Sequence, residues 1–113
     1  MKKAIAMKWV QALRSGKYAQ TRGVLKDDDG FCCLGVLCDI SKKGKWSDAG
    51  YYIDSEFDLP YEVMDWAGMK DNVGNEFSYG REKMKMTLPM LNDDEKLSFN
   101  QIANFIERRY EEL

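Results

Sequence analysis

The chain has no histidine. A Ser–His–Asp triad is therefore impossible, and a cysteine nucleophile would lack its usual base. Cysteine is scarce as well. There are three, two of them adjacent, and an odd number argues against a secreted disulfide framework. Structural zinc wants a full tetrahedral set of thiolates or imidazoles. Three thiols would need a carboxylate such as Asp39 to complete it, so no metal is expected. The phosphate-cradling patterns Gly-x-x-x-x-Gly-Lys-Ser/Thr and Gly-x-Gly-x-x-Gly are missing, and so is the Gly-x-Ser-x-Gly of hydrolases. No cofactor follows from the chain, and redox and hydrolytic enzymes are disfavoured. No window approaches the roughly 18 apolar residues of a membrane span. The positive start Met1-Lys-Lys is followed by an apolar run that stops at Lys8. This is too short for a signal peptide, and we read it as the start of a helix in a cytosolic protein. Basic residues are not clustered. Seventeen Lys and Arg stand against nineteen Asp and Glu, for a net charge of −2, which weighs against a nucleic-acid polymer as partner.

What is present is enough for one core. The 113 residues include fourteen aromatic side chains, and 44% are apolar. A chain of this length buries roughly 65% of its unfolded surface, so a single domain over 1–113 needs no staple. The densest apolar stretch is Phe31-Cys-Cys-Leu-Gly-Val-Leu-Cys-Asp39, which holds all three cysteines. Its apolar neighbours raise thiol pKa values, so composition favours the cysteines as small hydrophobes in the core over reactive or metal-binding groups.

Periodicity predicts an α+β fold, a small single domain of about four helices packed on a short antiparallel hairpin or sheet. Ile5, Trp9, Val10 and Leu13 mark an amphipathic helix over 3–14, ended by Ser15-Gly16. Gly23-Val-Leu25 and Phe31-Cys-Cys33 read as hairpin strands around the Asp27-Asp-Asp-Gly30 turn. If Cys32 and Cys33 lie on a strand, they face opposite ways. A buried helix runs from Leu34 to Lys42 and ends near Gly44. A loop with a short strand at Tyr51–Ile53 leads to a helix opened by Leu59-Pro60, with Pro60 at its first position and Gly68 as its stop. Residues 71–85 read as turn-rich and the most mobile part. Met84, Met86 and Leu88 alternate as a strand, and Asn92–Lys96 is an acidic loop. The last helix is capped by Ser98 with Gln101 and carries Phe99, Ile102, Ala103, Ile106 and Tyr110 on one face.

One segment offers donors for an anion. Arg14, Ser15, Lys17, Tyr18, Gln20 and Arg22 gather guanidinium, ammonium and phenol groups in nine residues. Guanidinium forks match phosphate oxygens two at a time, and a tyrosine ring can stack on a base. The competing reading, which general preference favours, is a solvated loop whose cations complement a helix C-terminus. The acidic runs do not fit a calcium loop. Asn92 and Asp93 read first as caps of the following turn and second as ligand contacts.

The order Trp9…Ala12-Leu-Arg-Ser-Gly16-x-Tyr18-x-Gln20…Gly23-x-Leu25, then Phe31–Asp39, Leu59-Pro…Trp66-x-Gly68 and Leu91-Asn-Asp93…Ser98-Phe99-x-x-Ile102-Ala103-x-x-Ile106-Glu107, resembles a family of small proteins encoded by tailed phages and prophages. The family is described as hypothetical, with no reaction attached. The resemblance implies a setting, the cytoplasm of an infected bacterium, in which small acidic proteins act by binding. The first expectation is a non-enzymatic counter-defence protein that sequesters an anionic, nucleotide-like signalling molecule. Arg14 and Arg22 would hold phosphates, Tyr18 would stack, and Gln20, Asp39 and Asn92 would read polar edges. The alternative is an inhibitor or regulator of a host defence protein, docking through the aromatic set Trp46, Tyr51, Tyr52, Phe57 and Tyr79. Self-association is left open. A carboxylate-and-metal nuclease is a third reading.

Overall fold

Apolar side chains at helical spacing make the first helix, and what they pack against sets the architecture. The computed structural model describes residues 1–113. Helix α1 (Lys3–Arg14) buries Ala6, Trp9, Val10 and Leu13. It lies between α2 (Cys33–Ser41) and α5 (Phe99–Arg109). The Trp9 indole N–H donates to the Cys33 carbonyl at 2.9 Å, so the largest core side chain also locks α1 to the start of α2. Ser15 and Gly16 do end α1. Gly16 has φ of +76°, and the Ser15 hydroxyl donates to the Ala12 carbonyl.

The hairpin is present but displaced. Strands β1 (Lys26–Asp27) and β2 (Gly30–Phe31) pair antiparallel around the expected turn, two residues each. Asp27 closes the turn by accepting from the Asp29 and Gly30 N–H groups. Gly23–Leu25 does not extend the ladder. The Leu25 carbonyl accepts from Cys32 N–H, while the Leu25 N–H donates to Glu56. Cys32 and Cys33 are likewise not strand residues. Cys32 is the N-cap of α2, its sulfur accepting from Gly35 N–H at 3.4 Å, and Cys33 is the first helical residue. Helix α2 ends at Ser41, with Lys42 in the left-handed region at φ 55°, two residues before Gly44.

Between α2 and α3, Tyr52 bridges to Trp46 and Ser55 through a turn in which Ile53 and Asp54 both have positive φ. Helix α3 (Tyr61–Ala67) uses Pro60 as its N-cap, one position earlier than expected, and Gly68 closes it at φ 68°. The 71–85 segment contains structure that composition hid. Strand β3 (Phe77–Tyr79) pairs with β4 (Met84–Met86). Phe77 is buried against Phe105, and the Arg109 guanidinium lies over both rings while donating to the Ser78 carbonyl.

The alternating Met84–Leu88 run stops at Met86, because Leu88 begins a helix. That helix, α4 (Leu88–Asp93), replaces the first part of the expected acidic loop. Pro89 sits in its first turn, where a missing N–H costs nothing. The fold thus has five α-helices and two separate two-stranded sheets, an α+β arrangement around one core. Helix α5 carries the expected capping box, Ser98 and Gln101 each satisfying the other's backbone N–H. No helix is long and apolar enough to cross a membrane.

Candidate functional site

The six side chains singled out from the sequence fall into three separate networks. Arg14 leaves the C-terminal turn of α1 toward α5. There it makes a two-pronged ion pair with Glu107, 3.2 Å to each oxygen, and donates to Asn104 at 2.7 Å. The Glu107 carboxyl is held below its ordinary range by the hydrogen bond and charge of Arg14. The guanidinium fork proposed for phosphate already holds a carboxylate.

The second network joins Gln20, Arg22 and Asn92. Asn92 is completely buried. Its Oδ1 accepts from Gln20 Nε2 at 2.8 Å and from Cys33 N–H at 3.3 Å. Its Nδ2 donates to the Thr21 carbonyl at 2.9 Å and to Asp93 at 2.8 Å. Gln20 also donates to the Leu97 carbonyl, and Arg22 Nε to that of Asn92. All hydrogen-bonding directions of the buried amide are filled. The amide ties the segment before β1, the first turn of α2 and α4 together. Asn92 is a core fastener, neither the cap of a following turn nor a group facing a ligand.

The third network is Tyr18–Asp39–Trp46. The Tyr18 hydroxyl donates to one Asp39 oxygen at 2.6 Å and the Trp46 indole N–H to the other at 3.0 Å. Burial first, and the adjacent Asp39 second, push the Tyr18 hydroxyl up to about 12. Both Asp39 oxygens are occupied, so Asp39 orients two rings. Tyr18 packs edge-on against Phe31, Phe31 against Trp46, and Trp46 against Tyr52. Lys26 extends its ammonium over Phe31 and Trp46, about 5 Å from each ring centre.

Of the six, Tyr18 alone lines a groove. The groove is a recess of about 410 Å³ between α1 and the end of α2, bounded by Lys8, Gln11, Ala12, Ser15, Lys17, Tyr18 and Ile40. Lys8, Gln11, Ala12 and Ser15 stand at i, i+3, i+4 and i+7, one face of a helix. Arg14 lies about 120° around the helix from Lys8, toward α5. Neither Lys8 nor Lys17 takes part in an ion pair. Ser15 is spent on Ala12 and Lys17 backbone groups. Two free ammonium groups and one free amide therefore surround an apolar floor and a fixed aromatic ring. Lys17 and Ser15 were within the flagged segment. Lys8, Gln11 and Ile40 were not, because the α1 stripe read from the helical period is the apolar one at Ile5, Trp9, Val10 and Leu13, on a different face of the helix.

A second recess, about 500 Å³, lies between the β1–β2 turn and residues 46–50, with Lys26, Asp28, Trp46 and Asp48 on its walls. The thiols are elsewhere and buried. Burial pushes Cys32 up to about 11 and Cys33 and Cys38 well above the ordinary thiol range. No three Cys, Asp or Glu side chains converge on a point that would hold a metal ion. Of the aromatic set proposed for docking, Tyr52 is buried and Trp46 and Tyr79 are half-buried. Tyr51 and Phe57 are exposed, and Tyr61, which was not in the set, is the most exposed ring.

Residues 1–110 match the model of a family described as Domain of unknown function (DUF8296). No curated protein and no solved structure matches the chain.

Proposed function

From a chain that belongs to this family of unknown function, we propose a small binding protein that takes up an anionic, ring-bearing molecule of nucleotide type in the α1–α2 groove. The observation that carries this reading is the pairing of unneutralised Lys8 and Lys17 with Tyr18, whose hydroxyl is already fixed by Asp39. The ammonium groups act as point charges for phosphate oxygens. The tyrosine ring and the Ala12–Ile40 floor receive the apolar part. The volume falls within the range of about 300–1,000 Å³ that small-molecule sites occupy. This moves the phosphate-holding role from Arg14 and Arg22 to the two lysines. It leaves Asp39 as the group that orients Tyr18, and Gln20 and Asn92 as fasteners of the core outside the groove.

The activity we propose is sequestration without chemical change. The resemblance to phage-encoded proteins supports a setting in the cytoplasm of an infected bacterium, where removing a nucleotide signal would blunt a host defence. A thermal-shift screen of nucleotides and cyclic nucleotides tests the reading. A ligand at 100 times its Kd stabilises the fold by about 2.7 kcal/mol, a rise of roughly 10 °C for a chain of this size. The rise should vanish in Lys8→Glu/Lys17→Glu and survive in Arg22→Gln. Recovery of the nucleotide unaltered after long incubation with Mg²⁺ separates binding from cleavage. A full screen with no shift, or a shift that the double lysine variant retains, refutes the site.

A further inference from the structure

The charge of the chain is segregated in a way its near-neutral total conceals. Residues 46–69 contain six carboxylates and no lysine or arginine, so the remainder of the chain is net positive. The same stretch holds three of the four large apolar side chains that reach solvent: Tyr51, Phe57 at 56% and Tyr61 at 73% exposure. In the first turns of α3, Tyr61 lies beside Glu62. Both line a recess of about 270 Å³ with Asp65, Trp66 and Lys43. The Glu62 and Asp65 carboxylates make no ion pair and no side-chain hydrogen bond within the molecule. An exposed ring flanked by unneutralised carboxylates is unfavourable to leave in water on one count and repulsive to anions on the other.

We propose that the α3 face is a docking surface for a basic segment of another protein, in which lysine or arginine side chains meet Glu62 and Asp65 and an apolar side chain enters the recess under Tyr61. Charge complementarity selects this occupant. The acidic face repels nucleic acid and anionic lipid, and tyrosine is among the residues that anchor protein interfaces. The surface is separate from the α1–α2 groove, shares no residue with it, and stands whether or not that groove binds a nucleotide.

The test uses fluorescent decapeptides carrying three Lys or Arg and one Leu or Trp, measured by anisotropy against the full chain. Saturable binding is expected. Glu62→Lys/Asp65→Lys should weaken it by about tenfold or more, and Tyr61→Ala should weaken it while leaving the net charge unchanged. Asp94→Lys/Glu95→Lys, an equal charge change on another exposed segment, should alter it less than about twofold. All three variants change exposed side chains, and a wild-type melting profile verifies each fold. Equal weakening by the two charge-reversal pairs overturns the proposal, since binding would then follow bulk charge. Absence of saturable binding also overturns it. So does a Tyr61-dependent dimer in sedimentation, which would make a second copy the occupant.

Discussion

Replacing Asn92 by alanine should remove a large fraction of the stability of this fold. The side chain is wholly buried and makes four hydrogen bonds. Truncation strands the Cys33 N–H and the Thr21 carbonyl, both in buried residues, while Gln20 keeps its bond to Leu97. Each buried orphan costs about 1–3 kcal/mol. The expected loss is therefore about 2–6 kcal/mol, against a total of about 5–15 kcal/mol for a domain. Urea denaturation followed by circular dichroism reads this directly. With an m-value of about 1–3 kcal/mol/M, the midpoint falls by roughly 2 M. Asn92→Asp sharpens the test. It keeps the acceptor for Cys33 but sets a second carboxyl beside Asp93, where burial and like charge raise its folded-state pKa. A raised pKa means that the variant comes closest to wild type below the unfolded value of about 3.9 and falls behind as pH climbs through it. A loss under about 1 kcal/mol for the alanine variant, or a pH-independent deficit for the aspartate variant, would refute the fastener role.

The thiols and Tyr18 make a joint alkaline prediction. Folding raises Cys32 from 9.0 to about 11 and Tyr18 from 10.0 to about 12. Raised values stabilise fully below pH 9 and lose that contribution as pH passes through the folded-state values, so unfolding by base should set in between pH 9 and 12. In the native protein at pH 8, Ellman's reagent should find no fast-reacting cysteine, and all three should titrate after denaturation. Gly35→Ala should cost more than about 2 kcal/mol, because the added methyl runs into the Leu25 carbonyl. The usual helical gain of alanine over glycine, about 1 kcal/mol, does not offset it. A Tm equal to wild type would show that the β1–α2 approach is looser than the packing implies.

The parts of the fold that rest on local chemistry were legible in the chain. The Ser98–Gln101 capping box, Gly68 as a stop and the α1 stripe each follow from interactions within about one helical turn. What failed depended on distant partners. Residues 71–79 are poor in apolar content, but β3 is held by Phe105 and by Arg109 from α5. Helix α4 is short and ends in an acidic run. It is pinned because Asn92 meets Cys33 and Thr21 across the core. Cys32 caps rather than extends because Gly35 must approach the Leu25 backbone, which fixes where α2 begins.

The same reasoning explains why the candidate site was only half readable. A sequence shows which residues carry charge, but not which charges are already neutralised. Arg14 and Lys8 sit on one helix six positions apart, and guanidinium chemistry alone makes Arg14 the better phosphate ligand. The choice between them is made by Glu107, 93 residues away, which holds Arg14 and has no counterpart beside Lys8. Asp39 is the mirror case. A lone carboxylate next to a cationic segment reads as a ligand-facing group until the Tyr18 hydroxyl and the Trp46 indole are seen to fill both of its oxygens. With Arg14, Asp39 and Asn92 committed to the frame, the charged side chains that line the two proposed surfaces are without an ion pair: Lys8 and Lys17 at the α1–α2 groove, and Glu62 and Asp65 with Lys43 at the α3 face. A ligand arriving at either face meets charge without first displacing an internal bond. That difference should separate the variants: Lys8→Glu/Lys17→Glu or Glu62→Lys/Asp65→Lys alters recognition in a fold that still melts normally, whereas Arg14→Ala lowers the melting temperature without touching recognition.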